Sequence, residues 1–269
     1  MRKFILFIVF ATAFTACKTD ELVDLSQKPP VDTQPLPPDD NTNTGAKFLV
    51  TTIAAFDDAA KTGPNDTAWV YHYQYDRNRN ITKQVHYSAK DNLTTIHVFV
   101  YDTDDNLVRI DLLDHDVATV VYEIAYQNGK PNSSTFYDEA IMKPATSYEV
   151  DGNNVTAVTN DKGERVTLFY NAGNLVKRQN KSANHSLVYG FGTKNGPFSA
   201  SPFKWGVLES MNIMPAHNKN EVTEETTIDA SGTHVTKYAY KYSKANYPLT
   251  RSVVSDSKKT VVYAYEEAK

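Results

Sequence analysis

The densest group of side chains able to do chemistry in this 269-residue chain is Asp102-Thr103-Asp104-Asp105-Asn106. Acidic and amide oxygens at alternate positions are how a calcium loop of the EF-hand type begins. Counted from Asp102, though, Leu107 stands at the sixth place, where that loop needs Gly, and Leu113 at the twelfth, where it needs a bidentate Glu. The stretch therefore reads as a hairpin tip whose Asp and Asn side chains serve the turn, and no metal ligand is assigned to it. The seven histidines (His72, His86, His97, His115, His185, His217 and His234) show none of the close spacings that metal pairs use. His72, His86, His97 and His234 fall in strand-like runs, where alternation with apolar neighbours places them on the solvent face. Asp111, Asp114, His115 and Asp116 read as a charged turn before the apolar run from Val117. No nucleophile elbow, phosphate-binding glycine loop or His-Glu-x-x-His is present. No catalytic residue and no cofactor is assigned, so an enzyme is the less favoured expectation. The form an enzyme would take is a hydrolase using two carboxylates, held about 5–9.5 Å apart.

The remaining chemistry is aromatic. Trp69, Tyr71, Tyr73 and Tyr75 alternate with Val70, His72, Gln74 and Asp76, so the four rings share one face of a strand. With Trp205 they are the candidate ligand-binding residues, because Trp and Tyr on a rigid sheet can stack on sugars. Tyrosine also favours strands for packing reasons alone, and core or cross-strand packing is the stronger expectation for such rows.

The elements that carry these residues are strands. From Lys47 onward, short apolar-alternating runs separated by turn residues recur, and no segment of helical period exceeds about three turns. Phe48 to Phe56 opens the series, and Glu221 to Ile228, Thr233 to Tyr242, Pro248 to Ser255 and Thr260 to Glu266 close it. Between them one unit repeats: YDRNRNITK at Tyr75, YDTDDNLVR at Tyr101, YQNGKP at Tyr126, VDGNNVT at Val150 and YNAGNLVK at Tyr170. The anchors lie 26, 25, 24 and 20 residues apart. Two strands of roughly five to six residues with two turns need about that length. The expected fold is all-β: a strongly curved antiparallel meander of repeated hairpins, open or partly closed like a barrel. Residues 189–220 break the pattern with Gly, Pro and aromatics, and Trp205, Leu208 and Met211 at three-residue spacing predict one short helix near 205–211 that ends before Pro215. A loop this long is expected to be functional or to cover core.

The N-terminal part differs in kind. Residues 1–16 carry Arg2 and Lys3, an apolar run from Phe4 to Phe14 and a small-residue end, the pattern of a secretory signal peptide. Cys17, the only cysteine, follows directly and resembles the acylated cysteine of a bacterial lipobox. Lipidation there leaves no thiol for a disulfide, a metal or a nucleophile. Residues 17–46 hold five prolines between Pro29 and Pro38 and read as an extended tether, followed by a β domain over 47–269. Lys18 with Asp20 and Glu21 resembles a surface-export signal of Bacteroidota-type lipoproteins, and Asp66-Thr67-Ala68 their O-glycosylation motif, with Thr67 as acceptor. Without residues 1–16 the chain has 26 basic against 32 acidic residues, a net charge of −6, which disfavours a nucleic-acid partner.

Tyr101-Asp102 with Asn106-Leu107, NGPF from Asn195, HNKN from His217 and NYPLTR from Asn246 together resemble a Bacteroidota-type outer-membrane lipoprotein family of unknown function that carries degenerate YD-like hairpin repeats. The resemblance spans most of 47–269 and brings no catalytic residues. It implies a lipid-anchored outer-membrane protein, facing either the periplasm or the cell surface, and with the aromatic rows the expected role is a non-catalytic module binding a glycan or another envelope protein. A structural spacer without a small ligand is a further alternative.

Overall fold

A computed structural model of the protein describes residues 47–268, apart from 61, 62, 64, 65, 115, 116, 139, 140, 144, 145, 203 and 212–217. The signal peptide, Cys17, the tether, His115, Pro215 and His217 lie outside the described residues. The chain runs through β1 (Phe48–Phe56), β2 (Thr67–Tyr75), β3 (Ile81–Ser88), β4 (Leu93–Tyr101), β5 (Leu107–Asp114) and β6 (Val117–Gln127). It continues through β7 (Lys130–Asp138), β8 (Ile141–Met142), β9 (Thr146–Asp151), β10 (Asn154–Thr159), β11 (Arg165–Asn171) and β12 (Asn174–Asn180). β13 (His185–Asn195), the one-turn helix α1 (Val207–Ser210), β14 (Asn220–Asp229), β15 (Gly232–Tyr242), β16 (Pro248–Val253) and β17 (Asp256–Glu267) complete it.

Each strand pairs antiparallel with the next, and β7 passes directly to β9 while β8 hangs from its end. β1 pairs with β2 on one side and with β17 on the other, Ile53 facing both Tyr71 and Tyr263. Sixteen of the seventeen described strands thus form a closed antiparallel barrel, and closure leaves no unpaired edge in that ring. The meander and short helix expected from the sequence are present, and the sheet is closed rather than open.

A period of two strands returns the chain to the same end of the barrel, so every repeat tip lies at one end, together with residues 47 and 268. We call this the turn end. The two longest tips are built alike. Asp76 Oδ1 accepts the amides of Asn78 and Asn80, each at 2.8 Å, and Asp102 Oδ1 those of Asp104 and Asn106 at 2.9 and 2.8 Å. The second oxygen of each carboxylate takes the side-chain amide of Asn80 or Asn106. The left-handed residue is Arg79 (φ 68°) or Asp105 (φ 59°), one place before the asparagine, whose task is to tie the aspartate down. Both Asp102 oxygens are therefore occupied by turn donors. Slight burial pushes its carboxyl upward, but the bonds from Asn106 and Asp104, aided by Lys204, hold it below the ordinary carboxylate range.

The tyrosines that begin the tips also have work that periodicity does not show. Tyr75, Tyr101 and Tyr126 each donate a hydroxyl to a carbonyl on the preceding strand, of Val50, Ile81 and Leu107, at 2.7, 3.0 and 3.0 Å. Tyr240 does the same to Val222 at 2.6 Å. These bonds sit beside bulges in the ladder, where carbonyls are freed from regular pairing.

Alternation divides the barrel wall. Tyr73, Phe99, Ile110, Ile124, Tyr148, Leu168, Tyr263 and Tyr265 turn inward to a common core. Pairing of Ile110 with Tyr122 inside puts Arg109, Asp111 and Glu123 outside. Across the barrel, Lys177 lies over the ring of Phe169 on the outer face, and Glu224 stands opposite Lys237. Arg165 and Glu149 pair on the same outer surface. A membrane-spanning barrel has the reverse arrangement, an apolar outer band and a polar interior, and each mid-strand Arg or Lys in lipid costs about 2–4 kcal/mol.

The described residues between Gly196 and Lys219 form a plug at the turn end. Gly196 leaves β13 with its amide on the Lys219 carbonyl, so close to Asn218 that a Cβ would lie 2.3 Å from that residue's carbonyl oxygen. Phe198, Val207 and Leu208 enter the core against the inward rows, and Lys219 donates its amide to Gly173. Leu175 N–H bonds Asn218 Oδ1 at 2.8 Å. The aperiodic loop is therefore aperiodic because it fills a lumen instead of extending the wall.

Candidate functional site

The plug leaves a chamber of about 210 Å³ in the lumen, walled by β1, β2 and β13–β17 and floored by Pro197 and Phe198. Trp69, Tyr71 and Tyr73 come from β2, Tyr189 from β13, Tyr238 and Tyr240 from β15, and Tyr263 from β17. The rings are ordered against one another. Tyr71 stacks on Tyr73 at 6.2 Å and on His86 at 4.2 Å, Trp69 meets Tyr71 edge-on, and Phe198 meets Tyr73 edge-on at 5.2 Å. Trp69 and Arg251 also line a second hollow of about 390 Å³ at the end opposite the plug, with Asp57, Lys90 and Lys259. The two hollows share Trp69 and Arg251 in their walls.

Among the described residues, Arg251 and Glu225 are the charged members of the chamber wall. The guanidinium lies 4.6 Å from the centre of the Tyr238 ring. Burial works against its charge, the hydroxyls of Tyr263, Tyr240 and Tyr238 favour it, and the net shift is upward. Among the described residues no carboxylate comes within salt-bridge distance of it. Burial and then Glu225 push the Tyr189 hydroxyl up to about 12 and raise that of Tyr238. The Tyr73 hydroxyl is raised strongly by burial and has no hydrogen-bond partner among the described residues. At neutral pH the chamber therefore presents protonated hydroxyls, aromatic faces, one fixed cation and one carboxylate.

Of the residues singled out from the sequence, Trp69, Tyr71 and Tyr73 meet in this chamber. Tyr75 shares their face, but its hydroxyl is spent on the Val50 carbonyl and it does not line the cavity. Trp205 lies elsewhere. It lines a separate hollow of about 550 Å³ at the turn end with Asn80, Asp104, Tyr170 and Lys204, its indole N–H 3.4 Å from Asn106 Oδ1 and its carbonyl on the Val155 amide. Thr67 begins β2 and is 2% exposed, so a glycan there would have to be added before this strand folds. Two of the strand histidines depart from the solvent-face expectation. His86 stacks on the inward Tyr71, and His97 lies 6.2 Å from the inward Phe99, because both share the parity of the lumenal row. His72 does face outward, against Thr52 Oγ1, and His234 is exposed beside Ser231. Sequence reasoning passed over Tyr189, Glu225 and Arg251 as site residues. The shared faces of Tyr238–Tyr242 and Val261–Tyr265 were the available signal, and barrel closure is what sets them beside β2.

No family model matches the chain, and no curated protein matches it. Among solved structures, it is similar to a porin-like protein from Bacteroides uniformis ATCC 8492 at 15% identity, over 81% of this chain and 98% of that one, with a TM-score of 0.52. A porin-like protein from Bacteroides vulgatus ATCC 8482 matches at 13% identity, over 82% and 99%, with a TM-score of 0.46. At such identities the first likeness concerns the fold: a barrel of this kind exists at nearly the same size.

Proposed function

We propose that the protein is a Bacteroidota-type envelope protein, acylated at Cys17 and held outside the bilayer by residues 17–46, whose barrel binds a small glycan in its lumen. The observation that carries the reading is the chamber, where seven Trp and Tyr rings converge on a space sized for a single sugar ring, with hydroxyls and one charge of each sign to fix it. The charged outer wall supports a tether over a span, since lipid would meet Arg109, Asp111, Glu123 and Lys237. The fold shared with a porin-like Bacteroides protein accords with an envelope setting. Among the described residues of the chamber wall Glu225 is the one carboxylate, which favours binding over two-carboxylate hydrolysis.

Two measurements test this. In cells, Cys17→Ala is expected to release the protein from the membrane fraction, because on this reading the lipid is its attachment; retention of the signal-cleaved protein would point to a spanning barrel and end the tether reading. In solution, monosaccharides titrated into Trp205→Phe, where Trp69 alone reports, are expected to shift and quench the indole emission. An unmoved spectrum across a panel of envelope sugars, with calorimetry equally silent, would leave the structural-spacer reading in place.

A further inference from the structure

The chamber holds a guanidinium that nothing in the described structure neutralises. Arginine stays protonated at any physiological pH, and a largely buried charge without an anionic partner carries a desolvation penalty that a bound anion would relieve. Aromatic faces around Arg251 and a hydrogen bond with the Tyr240 hydroxyl soften that penalty but supply no negative charge. The neighbouring hollow is also biased, since it sets Lys90, Lys259 and Arg251 against Asp57, although Lys259 also pairs with Asp256.

Resting on the lumenal binding reading, we infer that the ligand is an acidic sugar: a single pyranose ring whose carboxylate is gripped by Arg251. A guanidinium matches a carboxylate through two parallel N–H···O bonds and leaves the pair neutral. A phosphate dianion would keep surplus charge in an aromatic chamber whose described wall residues include no second cation. Glu225, on β14, is placed to accept sugar hydroxyls. The buried Tyr73 hydroxyl, which lies beside Gln84 without a well-formed bond to it, is free to donate to the ring. Trp69 and Tyr71 supply the faces on which a pyranose can stack.

Calorimetric titration of the full chain with galacturonate, galactose and benzoate separates the outcomes. Galacturonate is expected to bind about ten- to hundredfold more tightly than galactose, the range a charge-assisted hydrogen-bonded pair supplies. Arg251→Gln is expected to bring the two sugars to parity, and Arg251→Lys, which keeps the charge and loses the fork, to fall between. Because the wild-type ratio already tests the inference, a variant that misfolds does not remove the test. Parity of galacturonate and galactose in the wild-type protein would overturn the acidic-sugar inference while leaving lumenal sugar binding intact. Failure of both sugars to bind would overturn both readings, and benzoate binding as tightly as galacturonate would overturn the assignment to a sugar.

Discussion

Phe198→Ala is expected to lower the unfolding free energy by about 3–5 kcal/mol, the range for emptying a fully buried aromatic site. Phe198 is 2% exposed, stands edge-on to Tyr73 and packs on the inward rows of the barrel while it floors the chamber. Its backbone cannot easily follow the loss. Ser199 and Ser201 are locked into tight turns by their amide bonds to the carbonyls of Gly196 and Phe198, and Gly196 itself is held against Asn218 and Lys219. The surroundings therefore collapse little, which sets the cost at the upper part of the range. For a domain of this size, 1 kcal/mol moves the melting temperature by about 2–4 °C, so a drop on the order of 10 °C is expected by calorimetry. Hydrogen exchange tells whether the plug or the barrel gives way. If the amides of Ser199 and Ser201 lose protection before those of β4 and β5, the plug is a separable unit. A melting temperature unchanged within a degree or two would mean that Phe198 does not anchor it.

What could be read in advance follows from where the information lies along the chain. Strand runs such as Phe48–Phe56 and the Asp-Asn tips are local, because alternation and turn chemistry act over a few residues, and the structure places both where the pattern does. The common end for the tips also follows from the repeat length. Closure is another matter. It depends on Ile53 meeting Tyr71 and Tyr263 at once, a pairing across some two hundred residues that no local pattern encodes. The candidate site divides along the same line. One strand's row, Trp69 to Tyr73, is legible, whereas Tyr189, Glu225 and Arg251 become its neighbours only when β1 joins β17. Arg251 in particular looks like any charged strand residue until its face is known. Around residues 189–220 the Gly, Pro and aromatic residues and the loss of a two-residue period mark the break in the wall, but they do not say which of these residues extend β13 and which turn into the lumen. Inward and outward parity deceived in one place. His86 and His97 alternate with apolar neighbours as solvent-facing residues do, but in a barrel whose interior is aromatic and whose outer wall mixes charge with valine, apolar neighbours do not identify the inside.

Those two histidines make stability depend on pH in a window that lies mostly above the one carboxylates use. Burial, and then the charge on His86, lowers the His97 pKa from 6.5 to about 4, and burial lowers His86 as well. His97 Nδ1 has no partner among the described residues that could stabilise an imidazolium. The unfolded chain takes up the His97 proton near pH 6.5, while the folded barrel refuses it until about pH 4. Between those values the unfolded state binds more protons, so stability is complete above pH 6.5 and falls as the pH drops towards 4. The difference corresponds to about 2.5 kcal/mol at pH 4.5, with one pKa unit worth about 1.4 kcal/mol. Asp102, Glu149 and Asp229, whose carboxyls lie below their ordinary range, lose their stabilisation mainly below pH 4.5 and add only a small part of the loss at that pH. Urea unfolding at pH 7.0 and pH 4.5 measures the loss directly. His97→Gln keeps a polar side chain opposite Gln84 but cannot titrate, so most of the pH difference should vanish in it whatever the variant's stability at pH 7.0. Equal losses in the wild-type protein and His97→Gln would place the acid sensitivity elsewhere, and a loss that persists in His97→Gln but vanishes in His86→Gln would reverse the assignment within the pair.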